Sequence, residues 1–252
     1  MEAGVWRSRS EAEKTTVAAL LDRYAREVLS QQKGGDRELS RIRLLSEHLG
    51  QYSLLALSSS MIAQYRDMRL ASISRRGTIT SPQTVKHELS LLTRALKKGQ
   101  HEWGMTLPAG LPTALVKMPK LPQARDRRLQ GDEESRLLAE CANAQNTWLL
   151  PVVRFAIETA MRAGEIVETK GKTDENGERP IQSTGLLWKH VDLNRRVALL
   201  PETKNGTART VPLSSTAVDV LRGLPRSLDG KVFGATYEAI HLSFARACKR
   251  AS

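Results

Sequence analysis

Cysteine, aromatic residues and long apolar runs are all scarce in this 252-residue chain, and each shortage excludes a class of protein. Cys141 and Cys248, the only cysteines, are too few and too far apart in sequence for a disulfide scaffold or a zinc cluster, and both read as small buried apolar side chains. The longest apolar stretch, Trp148 to Ile157, carries Arg154 and falls short of the roughly 18 apolar residues a membrane span needs. Met1 to Thr16 mixes Glu, Arg and Ser, so no signal peptide is read there and the cytoplasm is the expected compartment. With only 4 Trp, 4 Tyr and 3 Phe, the chain is poorly equipped to stack the bases of single strands. The five histidines, His48, His87, His101, His190 and His241, are scattered without metal-ligand spacing. Gly171-Lys172-Thr173 resembles the tail of a phosphate-binding loop, but Ile166 stands where that loop needs glycine. Neither metal nor nucleotide cofactor is expected.

Positive charge is plentiful. Lys plus Arg exceed Asp plus Glu by 39 − 27 = 12, split as 19 − 11 = 8 over residues 1–122 and 20 − 16 = 4 over residues 123–252. Such an excess points to a polyanionic partner, and the lack of aromatics favours phosphate contacts on double-stranded DNA. A hydrophobic fraction of 40% still provides a packed core.

The first third reads as four amphipathic helices. Val17, Leu20, Leu21, Tyr24 and Val28 recur at helical spacing behind Thr15 and Thr16, which can cap. Leu39, Ile42, Leu45 and Leu49 repeat the pattern up to Gly50, read as a left-handed stop. Ile62, Tyr65 and Met68 follow Ser58 to Ser60, and Ser81-Pro82 opens a stripe of Val85, Leu89, Leu92 and Leu96. Four of the ten prolines fall between Pro108 and Pro122, a domain linker. Beyond it, Arg125, Arg127 and Arg128 precede an acidic helix start at Asp132, and a second helix runs from about Trp148 to Thr159. Val197 to Leu200, Asn205-Gly206 and Ala208 to Leu213 read as a hairpin with a two-residue turn. Helical stripes resume at Ala217, Val218, Leu221 and at Ile240, Phe244, Cys248 behind Thr236.

The ordered motifs Glu158-Thr-Ala-Met-Arg162-Ala-Gly-Glu165, Leu187-Trp-Lys-His-Val-Asp192 and Leu200-Pro-Glu-Thr-Lys204-Asn-Gly-Thr-Ala-Arg209-Thr-Val-Pro-Leu213 resemble the tyrosine recombinase, or phage integrase, family over nearly the whole chain. The resemblance implies a mainly α fold with a small antiparallel β-hairpin or sheet, in two domains. These are a helical core-binding bundle at 12–107 and, after a linker at 108–124, a partial catalytic domain at 125–252. It implies site-specific DNA breakage and rejoining through a phosphotyrosine link, with self-association on DNA. Arg162 matches the first catalytic arginine, whose guanidinium can bridge non-bridging phosphate oxygens. Glu165 matches the supporting acid, and Lys204 the general acid toward the leaving 5′ oxygen. Read without the family, Arg162 would pair with Glu158 one turn back. Arg209 is expected on phosphate or beside Glu202, and Arg125, Arg127, Arg128, Lys86, Arg94 and Lys97 are expected on DNA.

Two departures qualify the match. Residues 168–184 intrude as a polar stretch, read as a flexible surface insertion. The family's His-x-x-Arg and later nucleophilic tyrosine have no counterpart: Gln51, Ser90, Gly104, Leu193 and Phe244 stand three places after the histidines. Tyr24, Tyr52, Tyr65 and Tyr237 all precede the expected nucleophile position, so the sequence reads as C-terminally truncated. The alternative is a non-catalytic DNA-binding protein, a decayed or truncated integrase.

Overall fold

A computed structural model describes residues 13–32, 34–74, 77–105, 107, 110–124, 126–201 and 206–251. The fold is mainly helical with two small antiparallel sheets, and it divides into two compact units, residues 1–125 and 126–252. Among the described residues no helix is long and apolar enough to cross a membrane.

The first unit packs α1 (Val17–Glu27), α2 (Asp36–Leu49), α3 (Ser59–Ala71) and α4 (Pro82–Glu102). Caps set the starts: the hydroxyls of Thr16, Ser58 and Ser81 accept the backbone N–H of Ala19, Met61 and Thr84, satisfying donors that have no helical partner. The apolar stripes then meet in one core of Val17, Leu20, Leu21, Leu45, Ile62, Val85, Leu89 and Leu92. Three expectations need correction. Leu39 and Met68, placed on core stripes by spacing, are exposed. Gly50 keeps a right-handed φ of −62°; its missing side chain is required by space, since a Cβ there would lie 3.0 Å from that of Ala18. The proline-rich linker is partly absorbed by the first unit. Val116 is buried in its core, Leu111 packs against it, and Arg66 Nη1 donates to the Lys117 carbonyl at 2.8 Å.

Within this core sits one charged group. Glu88 is 1% exposed; its carboxylate accepts from Tyr65 Oη at 2.8 Å and is forked by Arg69 Nε at 3.1 Å and Nη2 at 2.9 Å. Burial, reinforced by the Glu88 charge, drives the Tyr65 hydroxyl far above its ordinary range, so it remains a donor. Arg69 Nη1 also donates to Ser72 Oγ at 2.7 Å, and that hydroxyl lies 3.0 Å from Thr80 Oγ1. The α3–α4 connection is thereby pinned at its base.

The second unit contains α5 (Glu133–Ala142), α6 (Leu149–Thr159), α7 (Ala163–Ile166), α8 (Ser215–Arg222) and α9 (Tyr237–Ala251). Strands β1 (Thr169–Lys170) and β2 (Ile181–Ser183) form one sheet; β3 (Val191–Asp192), β4 (Val197–Leu200) and β5 (Arg209–Pro212) form another, ordered β3-β4-β5. Phe155 and Phe233, ring centroids 5.3 Å apart, centre the core. The Asn205-Gly206 turn would set Leu200 opposite Val211, but Leu200 pairs with Arg209 and Ala198 with Val211. The register thus lies two residues away. Because side chains alternate with period two, a two-residue offset keeps Ala198, Leu200 and Val211 on the buried face, whereas an offset of one would expose them.

Residues 168–184, expected to be a flexible insertion, instead hold the β1–β2 hairpin. Asp174 Oδ1 accepts the N–H groups of Asn176 at 3.0 Å and Glu178 at 2.7 Å, which builds the turn locally. Arg179 Nε donates to the Gly171 carbonyl at 2.9 Å, and its Nη2 reaches Glu238 on α9 at 2.7 Å. At the hairpin's exit, Gly185 has φ +71°, and a Cβ would meet the Val167 backbone at 2.7 Å, so no other residue fits.

Removing Glu88 strands the nearly buried Arg69 guanidinium. Glu88→Ala is expected to cost about 3–5 kcal/mol in urea unfolding. Tyr65→Phe, which leaves the Arg69 fork in place, should cost about 1–2 kcal/mol. Equal small losses would show that the ion pair does not support the bundle.

Candidate catalytic and DNA-contact site

Helix α6 ends where the chain turns through Ala160, whose φ of 50° is left-handed and uncommon for a residue with a side chain. Thr159 Oγ1 donates to the Phe155 carbonyl at 2.7 Å and accepts from Met161 N–H at 3.4 Å, which closes the end of the helix. Met161 drops into the core, only 5% exposed, and the next residue, Arg162, is extended and faces out. One turn of α7 follows and returns Glu165 beneath it.

Glu165 is the centre of the arrangement. Its Oε2 accepts the Arg162 backbone N–H at 2.8 Å and Arg209 Nη2 at 2.7 Å, and its Oε1 accepts Arg162 Nη1 at 3.1 Å. The backbone bond is the N3-to-cap half of a capping box, so the same carboxylate starts α7 and anchors two guanidinium groups. The Glu165 side chain is 10% exposed, against 60% for Arg162 and 41% for Arg209. Burial pushes the Glu165 carboxyl upward; the Arg162 N–H and the two guanidinium groups together outweigh it and hold the group below its ordinary value. The result is a charged cluster with one acid inside and two cationic heads reaching solvent. Its net positive charge suits an anion with several oxygens.

The Arg162–Glu158 pair suggested by helical spacing does not form: Glu158 Oε2 accepts from Ser214 Oγ at 2.5 Å, and Ser214 in turn caps α8. Arg209 has Glu165 as a partner; Glu202, the acid expected beside it, lies outside the described residues. Arg209 stands on β5, and α7 brings Glu165 to it from 44 residues earlier, a separation no local spacing rule encodes. Lys204 and Arg125 lie outside the described residues.

The remaining basic candidates occupy separate places. Arg127 pairs with Glu133 at 2.5 Å, while Arg128, 3.8 Å from Asp126, is almost fully solvated. On α4, Lys86 is half-buried and Lys97 exposed; Arg94, at 2.9 Å from Glu38, joins Lys97, Lys98 and His101 along an open depression floored by Tyr24 and Val28. A further cluster was not legible in the sequence. Lys231 Nζ bridges Glu168 Oε2 at 2.8 Å and Asp229 Oδ2 at 3.1 Å, and Glu168 is 6% exposed. Only Asp229-Gly230 gave a local signal there, and it marks a turn without naming the partner of Lys231.

Because Glu165 has a lowered folded value, its contribution to stability is complete above its ordinary unfolded value near 4.5 and is lost as pH falls through the folded value. Arg209→Gln removes one depressing contact and brings the two values closer. The stability gap between wild type and Arg209→Gln, read from denaturant unfolding, should therefore be widest near neutral pH and narrow as the pH falls through the lowered Glu165 value. A gap independent of pH would detach Arg209 from the Glu165 titration.

No family model matches the chain. It is 36% identical over 225 residues to the shufflon-specific DNA recombinase of Escherichia coli, an alignment covering 88% of this chain and 53% of that protein. It is 30% identical over 136 residues to the integrase of Salmonella phage P22, covering 53% of this chain and 29% of the integrase. The chain thus spans about half the length of the first of these relatives. Among solved structures, a lambda integrase dimer bound to a COC′ core site superposes with a TM-score of 0.70 at 19% identity, over 94% of this chain and 79% of that one. The chain is thus similar in sequence to a DNA recombinase and a phage integrase, and it shares its fold with lambda integrase.

Proposed function

We propose that the chain is the DNA-gripping and phosphate-activating part of a site-specific recombinase, which breaks and rejoins duplex DNA in the cytoplasm. The helical unit, about residues 12–107, serves as the core-binding domain, and residues from about 125 onward belong to the catalytic domain. The observation that carries the reading is the Arg162 guanidinium, 60% exposed yet fixed at its root by Glu165. When a phosphodiester is attacked in line, charge grows on its non-bridging oxygens. A guanidinium already oriented there stabilises that charge without reorganising during the reaction. Arg162 donates to Glu165 through Nη1 and is otherwise largely exposed, which leaves guanidinium donors for phosphate oxygens. Lys204 falls between β4 and β5 in sequence and would protonate the leaving 5′ oxygen. Arg209 supports Arg162 through the shared carboxylate and keeps an exposed edge for phosphate. The similar lambda integrase, a dimer on its core site, supports self-association of this chain on DNA.

Phosphate contacts make binding salt-dependent. If about five phosphates are neutralised, the slope of log K against log salt for duplex DNA should be roughly −4 to −5. Arg162→Ala should weaken binding and reduce that slope by about 1 in magnitude. A flat salt response, or an Arg162→Ala slope equal to wild type, would remove duplex phosphate from the site.

A further inference from the structure

Sequence separates Cys141 and Cys248, but α5 and α9 pack together and bring them near enough for the charge of one to act on the other. Helices α5 and α9 pack side by side in opposite directions; two bonds set their register, and a third ties the turn after α5 to α9. Arg136 Nη1 donates to the Ala251 carbonyl at 2.5 Å, Arg250 Nε to Glu140 Oε2 at 2.5 Å, and Asn146 Nδ2 to Ser243 Oγ at 3.3 Å. In an antiparallel pair each step up one helix is a step down the other. Cys141 lies between Glu140 and Asn146, and Cys248 lies between their partners Arg250 and Ser243, so the two cysteines share one level of the seam. Both also face inward. Cys141 is 1% exposed beside Leu137 on the buried stripe of α5, and Cys248 packs against the same core from the stripe of Ile240, Phe244, Ala247 and Ala251. The sequence reading of both as small buried apolar side chains holds for Cys141, while Cys248 is only partly covered.

We propose that Cys141 and Cys248 form an oxidation site at which a low-molecular-weight disulfide, such as glutathione disulfide, converts the two thiols into a bond stapling α5 to α9. This goes beyond the recombinase reading and does not depend on it. The order of steps follows from exposure. Cys248 is only partly covered, whereas burial, with the Cys248 charge as a second cause, pushes the Cys141 thiol up and keeps it protonated. The Cys248 thiolate attacks one sulfur of the oxidant, forming a mixed disulfide and expelling one thiolate. Cys141 then loses its proton and attacks the Cys248 sulfur, forming the Sγ–Sγ bond and expelling the second thiolate. Two protein thiols are oxidised, one disulfide is reduced to two thiols, and the two protons pass to the leaving groups. The glutathione couple supplies the oxidant.

The full chain is incubated with glutathione disulfide under native conditions and analysed by intact mass and by non-reducing peptide mapping. The expected product has lost two hydrogens, carries no glutathione, and yields one linked peptide pair containing Cys141 and Cys248. Its melting temperature should rise by about 5 °C or more and return with dithiothreitol, because the cross-link closes a long loop. Cys141→Ser should stop at a glutathione adduct on Cys248, and Cys248→Ser should remain unmodified. The wild-type map needs neither variant, so it decides the matter even if a serine disturbs packing. A stable glutathione adduct on wild-type Cys248, a disulfide-linked dimer, or thiols that react only in denaturant would each overturn the proposal. DNA binding by the reduced protein, measured alongside, separates this outcome from that of the recombinase reading.

Discussion

The second unit depends on a carboxylate that must stay ionised while nearly buried. Glu165 is shielded by the turn that follows α6, where an unpaired charge would be costly. It is stabilised by three N–H donors, one backbone and two guanidinium, that come from both its own turn and β5. The constraint runs in both directions. The acid cannot be accommodated without Arg209, so the hairpin must reach α7, and Arg162 gains a fixed root because the acid is held.

The helical unit solves a related problem differently. Glu88 is also met by a guanidinium fork, but both charges are withdrawn from water and a tyrosine hydroxyl completes the set. There the ionic group ties α3 to α4, and little of either member reaches solvent, 14% of Arg69 and 2% of Glu88. In the Glu165 cluster the acid is inside and the arginine heads are out. The same chemical pair thus serves packing where both members are covered, and leaves open donors where only the acid is.

Helices were legible because their apolar spacing is local: α1, α4, α6 and α9 start and run as the stripes of Val17, Val85, Leu149 and Ile240 require. Arg162 and Glu165 could be singled out because the motif and the capping geometry lie within four residues. What sequence could not give is long-range pairing. The partner of Arg209, the partner of Lys231 and the alignment of the two cysteines all depend on which helix and strand lie side by side. The hairpin itself was legible, but not its register: Asn-Gly is a strong turn signal, while the buried face of Ala198, Leu200 and Val211 constrains only the parity of the pairing. Residues 172–182 are exposed, as polar composition suggests, but composition did not show the short hairpin there, for which Asp174 and Arg179 supply the bonds.

Three acids in one short segment explain how the second unit is tied together. Glu158 reaches forward to the Ser214 cap of α8, Glu165 to Arg209 on β5, and Glu168 to Lys231 ahead of α9. The Glu168 carbonyl also accepts the Tyr237 N–H at 2.8 Å, so α9 begins where this segment passes. Each acid therefore fixes a different later element relative to the end of α6, and the outward-facing Arg162 lies between the first and second of these ties. Elements far along the chain bear on its guanidinium through the Glu165 carboxylate, which Arg209 also holds. A substitution at Ser214 or Lys231 would act on the orientation of this segment, whereas one at Arg209 acts on the carboxylate that Arg162 itself holds. The arginine is thus fixed at its root because three separate parts of the fold converge on the eleven residues from Glu158 to Glu168 that carry it.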